Sequence, residues 1–317
     1  MVRIVGRVVM WMLAVVAVVA ATLVAGVYLV PEAAMDLSQK AMRRYAGLTR
    51  SEIDAGGLHF VYLEGGSGEP LVLLHGFGGD KDHFVGLAGR LSPSYRVILP
   101  DIPGFGESTR SPDLTYTIDE QVVRLHVFLQ ALGLSKLAIG GNSMGGWLAG
   151  AYAARYPHEV TSLWLLDPAG VASAPQSEML QRITSAPVGG QSPMVPATVE
   201  DLESMLVLAT AKPMYIPRPF LQVMVDRASA NRTVQEKIVR ESLASTPLED
   251  RVQGLQTPTL IAWGDLDRAC HVDGAAILHA RMPRSKVSIM KGIGHVPMME
   301  APEWTVSDYR AFRSALP

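Results

Sequence analysis

Gly141-Asn142-Ser143-Met144-Gly145 stands between an apolar run and a stretch of helical period, and no other segment constrains the fold as much. Leu137–Gly140 reads as a buried strand and Met144–Arg155 as a helix, so Ser143 falls on the turn between them. A tight strand-to-helix turn strains its central residue, and the backbones around it approach so closely that the flanking positions must be small. Gly141 and Gly145 meet that need. A serine that only opened a helix would not require glycine on both sides. Ser143 is therefore read as a hydroxyl lifted above the end of a sheet, the placement a nucleophile needs.

From residue 51 onward, short β-branched or leucine-rich runs alternate with longer helical ones. This is the pattern of an α/β fold with a mostly parallel sheet flanked by helices. Strands are expected at Leu58–Glu64, Leu71–His75, Val97–Leu99, Leu137–Gly140, Ser162–Leu166, Thr259–Trp263 and Lys286–Met290. Helices are expected at Ile118–Leu132, with Thr117 as cap and Glu120 three residues on, at Met144–Arg155 and at Trp304–Ala315. Between Pro168 and Pro258 the alternation breaks. Seven prolines from Pro175 to Pro219 and the methionines Met179, Met194, Met205, Met214 and Met224 lie among helical patterns with no strand run. The core is expected at 51–168 and 258–317, with 169–257 a helical cap over the C-terminal strand ends, where such sheets bind ligands. Asn231-Arg232-Thr233 matches a glycosylation sequon over three residues, a match short enough to arise by chance.

A serine hydroxyl is a weak nucleophile at neutral pH; it needs a base, and the base needs a carboxylate to orient it. Gly294-His295-Val296-Pro297 and Trp263-Gly264-Asp265-Leu266-Asp267 each follow a late strand, which makes His295 the candidate base and Asp267 the candidate acid. His271 and His279 fall in a segment read as helical, and Asp265 reads as a turn residue. Asp167, ending an earlier strand, is the reserve acid. Charge developing on an attacked carbonyl needs preorganised donors. His75-Gly76-Phe77-Gly78-Gly79 follows a buried strand, so the backbone N–H groups of Phe77 and Met144 are the candidate oxyanion donors, and His75 is read as a brace for its loop. Met194, Met205 and Met214 are candidate substrate contacts, because methionine adapts to flexible chains.

Val8–Val30 runs 23 residues without a charge. At about 1.5 Å per residue it reaches about 34 Å, enough to cross a hydrocarbon core of about 30 Å. Trp11 and Tyr28 stand near its ends and Arg3 and Arg7 precede it. A cleaved signal peptide, cut near Val19-Ala20-Ala21, would carry a shorter apolar stretch of ~7–15 residues. Residues 1–30 are thus expected to be a single transmembrane anchor. Lys40, Arg43 and Arg44 beyond the span roughly balance Arg3 and Arg7, and a long C-terminal domain crosses largely regardless of charge, so the domain is expected outside the cytoplasm. Within 31–50, Ala34, Leu37, Ala41, Tyr45 and Leu48 recur on one face of a juxtamembrane amphipathic helix. That helix either packs on its own domain or brings Lys40, Arg43 and Arg44 to phosphates; beside a span it also offers a surface for a homodimer.

Lys plus Arg number 28 against 30 Asp plus Glu, a net charge of −2, so no global basic field exists to hold nucleic acid. Cys270, the single cysteine, excludes an intrachain disulfide and any zinc spacing built on cysteines. Neither a metal nor an organic cofactor is expected.

Five motifs in order now carry a resemblance: His75-Gly76-Phe77-Gly78-Gly79, the run from Asp101 to Ser108, the Gly141 turn, Trp263 to Asp267, and Gly294 to Glu300. From Ser51 to Leu316 the chain resembles an alpha/beta-hydrolase. With its anchor it is similar to membrane-anchored bacterial lipases and phospholipases A and to animal transmembrane monoacylglycerol lipases. The resemblance implies hydrolysis of acyl-lipid esters through Ser143, Asp267 and His295 without a cofactor, at a bacterial inner membrane with the domain on the periplasmic side. The Ser143 turn also resembles that of the C–C bond hydrolases of aromatic ring-fission products. Those carry Ser-Gly-Pro-Gly after the His-Gly pair, where this chain has Phe77-Gly78-Gly79-Asp80. A catalytically idle, membrane-tethered binding protein of the same fold would be expected to lose a triad residue.

Overall fold

The computed structural model describes residues 2–187 and 190–316, and side chains from residue 9 onward. The side chains of Arg3 and Arg7 lie outside the described residues. Two helices open the chain, α1 (Val2–Leu29) and α2 (Pro31–Tyr45). The core begins with β1 (Thr49–Ala55), β2 (Leu58–Gly65), β3 (Glu69–Leu74), a 3-10 turn at Lys81–Phe84, α3 (Val85–Leu91), β4 (Tyr95–Pro100) and α4 (Ile118–Ala131). It continues through β5 (Leu137–Asn142), α5 (Met144–Arg155) and β6 (Val160–Leu166). Five helices follow before the next strand: α6 (Glu178–Ser185), α7 (Val199–Ala209), α8 (Arg218–Ala230), α9 (Arg232–Leu243) and α10 (Leu248–Arg251). The chain closes with β7 (Thr259–Gly264), α11 (Gly274–Arg281), β8 (Ser285–Met290), α12 (Pro297–Glu300) and α13 (Pro302–Ser314).

The strands form one sheet in the order β1-β2-β4-β3-β5-β6-β7-β8. β2 runs against both its neighbours, and β4, β3, β5, β6, β7 and β8 are parallel. Both faces of the parallel part are buried, and alternate residues serve alternate layers. Leu71 and Leu73 pack toward α3 and α13, while Val72 and Leu74 pack toward α4 and α5. On the first face Trp164 stacks on Tyr309 with ring centroids 4.2 Å apart.

The expected strands and helices are present, with two differences. β1 was not expected, because Ile53 and Ala55 are its only apolar residues; it is held as an edge strand by antiparallel pairing with β2 from Thr49↔Glu64 to Ala55↔Leu58. The last helix starts at Pro302 rather than Trp304, since proline suits a first helical position whose N–H needs no acceptor. Thr117 caps α4 by accepting the Glu120 N–H.

Val9–Leu29 of α1 is long and apolar enough to cross a membrane, with mean hydropathy 2.5 and none of it buried against the domain. α2 forms the expected helix but ends at Tyr45, before Leu48. Leu37, Ala41 and Tyr45 face outward, Tyr45 being 97% exposed, and the opposite face meets the domain. Ion pairs hold it there: Arg43 Nε donates to Asp82 Oδ1 (2.6 Å), and Arg227 of α8 donates to Asp36 (2.8 Å). Of the three cations expected at phosphates, Arg43 is thus engaged by its own domain. Leu48 lies beyond the helix and is buried in the core.

Candidate active site

Ser143 sits between β5 and α5 with φ 57° and ψ −122°, in the region that L residues seldom enter. A Cβ on Gly145 would stand 2.1 Å from the Leu74 carbonyl oxygen, and one on Gly141 2.4 Å from the Gly145 backbone. Gly145 is therefore required by the approach of α5 to the end of β3, and Gly141 by the close return of α5 on the end of β5. Asn142 reaches across the sheet, its Nδ2 donating to the carbonyls of His295 (2.8 Å) and Leu166 (3.2 Å).

Asp267 follows β7 and His295 follows β8. His295 Nδ1 donates to Asp267 Oδ2 (2.8 Å), which also accepts from Trp263 Nε1 (3.1 Å). Asp267 Oδ1 accepts the backbone N–H groups of Ala269 (2.7 Å) and Cys270 (2.9 Å). Four N–H groups thus fix a carboxylate whose side chain has no exposure. With Nδ1 donating, Nε2 is the basic nitrogen of His295. The His295 N–H donates to Ala209 O (2.8 Å), and Glu300 accepts from Gly294 N (3.0 Å) and from Ala211 N (2.8 Å). The end of α7 therefore grips the histidine loop.

The structure joins Asp267 to His295 directly and brings Ser143 to the same end of the sheet, without a hydrogen bond from Ser143 Oγ to His295 among the described residues. Such contacts commonly tighten only with substrate bound. The Cys270 thiol lies against the Ser143 hydroxyl, and burial, with the Asp267 and Asp167 charges, pushes that thiol well up. Donor atoms of Asp267, Cys270 and His295 fall within 4.8 Å of one another. They do not suit a cation, because each Asp267 oxygen already accepts two N–H groups, one of them from His295 itself. Asp167 ends β6 at φ 44°, fully buried; its Oδ1 accepts the Gly264 N–H (2.8 Å). Asp265 turns away, accepting from Gly292 N (2.6 Å) and pairing with Lys291. His271 lies near Asp273 and His279 meets Ser285 Oγ, so neither approaches Asp267 by a hydrogen bond.

The Phe77 N–H has no protein acceptor among the described residues, and Met144 is the first residue of α5, where amides lack intrahelical acceptors. His75 Nε2 accepts from Ile102 N (3.0 Å) and Nδ1 donates to Gly76 O (2.8 Å), so both ring nitrogens are spent on its loop.

The sequence profile of the alpha/beta hydrolase fold family matches residues 69–302. The chain belongs to that family. It is 39% identical to Lipase 1 of Psychrobacter immobilis over 268 residues, 83% of each chain, and 32% identical to monoacylglycerol lipase ABHD6 of Homo sapiens over 74% of this chain and 72% of that one. A crystal structure of a membrane phospholipase A, described as a bacterial virulence factor, superposes with a TM-score of 0.85 at 34% identity over 98% of both chains. This alpha/beta hydrolase is an ester hydrolase.

Several residues of the hydrolase carry the site without having stood out in the sequence. Lys81 is buried beneath the Phe77 loop, with Nζ 2.9 Å from Asp101 and 2.6 Å from Glu107, while Asp101 also accepts the backbone N–H groups of Lys81 (2.7 Å) and Glu107 (2.8 Å). Gly106, at φ 54°, leaves room for that carboxylate: a Cβ there would meet Asp101 at 2.2 Å. His83 is half-buried behind the same loop, and desolvation lowers both it and His75 to about 4. Asn142 and Glu300 were inside quoted motifs but had no role assigned. In the cap, Val199, Leu202, Leu221 and Val225 form a small apolar cluster; Met194, Met205 and Met214 are half-buried outside it. Asn231 Nδ2 donates to Gly104 O, so the sequon amide is engaged inside the protein.

Proposed function

We propose that this hydrolase is a membrane-anchored serine esterase of acyl lipids, working through Ser143, His295 and Asp267. The observation that carries the reading is the strained Ser143 turn facing the same sheet end as a His295–Asp267 pair fixed at 2.8 Å. Ser143 Oγ attacks the ester carbonyl as its proton passes to His295 Nε2; Asp267 stabilises the imidazolium through Nδ1–H. The Phe77 and Met144 N–H groups receive the oxyanion. His295 then protonates the leaving alcohol, and water, activated by the same nitrogen, releases the acid from Ser143. Trp263, Ala269 and Cys270 keep Asp267 oriented so that it stays an acceptor throughout.

Acyl lipids suit the cap. Met194, Met205 and Met214 lie outside its apolar cluster and would line an adaptable wall for acyl chains, and α1 would keep that wall beside a bilayer. The chain's resemblance to a lipase, a monoacylglycerol lipase and a membrane phospholipase A supports this substrate class. α1 anchors the protein with the domain on the outer side of the inner membrane, and the outward Lys40 and Arg44 of α2 are free to meet lipid phosphates.

The test is fluorophosphonate labelling of full-length protein, followed by a panel of phospholipids, lysophospholipids and monoacylglycerols. Labelling that is lost in Ser143→Ala, with fatty acid released from one of these lipids, is expected. A folded protein that does not label overturns the nucleophile; one that labels but cleaves only soluble esters overturns the substrate class.

A further inference from the structure

The cap and the catalytic base meet at a seam whose polar groups close on one carboxylate. α7 ends at Ala209, and a carbonyl in the last turn of a helix finds no N–H within that helix. The Ala209 oxygen takes the His295 N–H instead, at 2.8 Å. At Thr210, whose N–H and hydroxyl both return to Leu206 O, the chain leaves the helix extended, so the Ala211 N–H has no helical partner. The Gly294 N–H likewise lies past the end of β8. Glu300 satisfies both: Oε2 accepts from Ala211 at 2.8 Å and Oε1 from Gly294 at 3.0 Å. The fit is close enough to dictate residue 294. A Cβ there would stand 2.6 Å from the Ala211 nitrogen, 2.8 Å from Glu300 Oε1 and 2.9 Å from the Ala209 oxygen. Glu300 is itself held firmly, as the last residue of α12 with its N–H on Val296 O (3.0 Å). The fully buried Thr305 fastens α12 to α13, its Oγ1 standing 2.9 Å from Pro297 O and 2.8 Å from Ala301 O.

We propose that Glu300 is a positioning residue that makes the cap part of the support for His295: its carboxylate locks the end of α7 to the base loop and so sets the reach of His295 Nε2 toward Ser143. The proposal rests on the Ser143–His295–Asp267 reading and adds to it. The bond from Nδ1 to Asp267 fixes the direction of the imidazole ring. The backbone that carries the ring is fixed separately, by the His295 N–H on Ala209 O, by Asn142 Nδ2 on the His295 carbonyl, and by the Gly294 N–H on Glu300. Asn142 belongs to the Ser143 turn and Ala209 to the cap, so the base is braced between the nucleophile and the cap. α7 is no loose end, since Val199 and Leu202 pack it against Leu221 and Val225 of α8. Without Glu300, a single bond to Ala209 O would hold this body of the cap to the base loop. A carboxylate suits the seam because it offers an acceptor to each amide and no donor; glutamine would turn an NH2 group toward one of them.

The experiment compares Glu300→Ala and Glu300→Gln with wild type in the full-length protein, by kinetics on a soluble short-chain chromogenic ester, by the rate and final extent of fluorophosphonate labelling, and by thermal melting. Both reagents are small, so they report Ser143 and His295 rather than the grip of the cap on a long chain. A misplacement of about 1 Å in a catalytic group can lower a rate about 100-fold, so Glu300→Ala is expected to lose about 10- to 100-fold in kcat with KM little changed. Its labelling should slow by a similar factor yet reach the same final extent, because every site is slowed and none is lost. Glu300→Gln keeps one of the two amides and should fall between, about three- to tenfold below wild type. A carboxylate that only fastened the cap would leave the short ester and the labelling rate untouched and raise KM for a long-chain lipid. That pattern overturns the proposal, as does a lower extent of labelling at unchanged rate, which marks a misfolded fraction. Should Glu300→Ala fail to fold, Glu300→Gln decides alone, and labelling within about twofold of wild type overturns the proposal. Wild-type protein that does not label removes the triad reading and this one together, whereas normal wild-type labelling that the variants leave unchanged removes only the role of Glu300.

Discussion

Replacing Asp267 with asparagine changes one atom and tests the orientation of the base. The carboxylate accepts four N–H groups, two at each oxygen. An asparagine amide has one accepting oxygen and one NH2 group, so it can serve only one pair. If its oxygen stays with the Ala269 and Cys270 amides, the NH2 points at His295 Nδ1 and Trp263 Nε1. The reverse orientation aims the NH2 at two backbone N–H groups that cannot move, at a cost of about 1–3 kcal/mol for each group left unsatisfied. The first orientation is therefore favoured. In it His295 can keep its bond only by accepting at Nδ1, which puts the proton on Nε2, the nitrogen that must take the proton from Ser143. The wrong tautomer lowers kcat by about 10⁴ in a model serine protease, or about 5.5 kcal/mol of barrier. Asp267→Asn should accordingly lose on the order of 10³- to 10⁴-fold in kcat on a soluble chromogenic ester, and its fluorophosphonate labelling should slow in parallel. Its melting temperature should change far less than its rate. A folded Asp267→Asn within about tenfold of wild type would refute the reasoning and transfer the acid role elsewhere, with Asp167 the next to test.

Ser143→Ala should remain folded and lose essentially all turnover, a fall on the order of a millionfold as in a model triad enzyme; measurable hydrolysis of ordinary esters by the purified variant would contradict the nucleophile. Lys81→Met leaves the buried Asp101 without its cation, at a cost of about 3–5 kcal/mol, so the melting temperature should drop by roughly 10 °C; an unchanged melt would show that the backbone amides suffice. His75 and His83 are lowered by desolvation in the folded protein to about 4, from the ordinary histidine value of 6.5. The unfolded chain takes their protons first, so stability should be flat above about 6.5 and fall as pH drops toward 4, which denaturant midpoints at stepped pH would register. Removing residues 1–30 should reduce activity on bilayer lipid more than on a soluble short-chain ester; equal losses would make α1 a folding element instead.

The α/β class was legible along the chain because it rests on local signals. Apolar runs such as Leu71–Leu74 and Leu137–Gly140 are short enough to be strands, and Thr117 marks a helix start wherever it occurs. The Ser143 turn was legible for the same reason: glycine at 141 and 145 records a backbone approach that no side chain permits. The candidates His295 and Asp267, which the fold pairs at 2.8 Å, were chosen for their places after late strands, a property of chain order. β1 escaped notice because an edge strand needs only a partner's backbone, and Thr49–Ala55 carries little apolar content to announce it.

What the tertiary structure alone decided concerns groups whose state depends on neighbours remote in sequence. Arg43 reads like Lys40 and Arg44 until Asp82 is seen to take it, and the outward turn of Leu37, Ala41 and Tyr45 follows from where the ion pairs with Asp82 and Arg227 lie. Lys81 is an ordinary surface residue by composition, yet Asp101 and Glu107 draw it into the core. Asp167 shows the principle most sharply: its residue type is plain in the sequence, but its full burial and the Gly264 N–H that its Oδ1 accepts come from β7, remote along the chain. Residue identity and local period determine which elements form and which atoms are available for chemistry; burial and long-range neighbours determine the charge each atom carries and the direction in which it can donate.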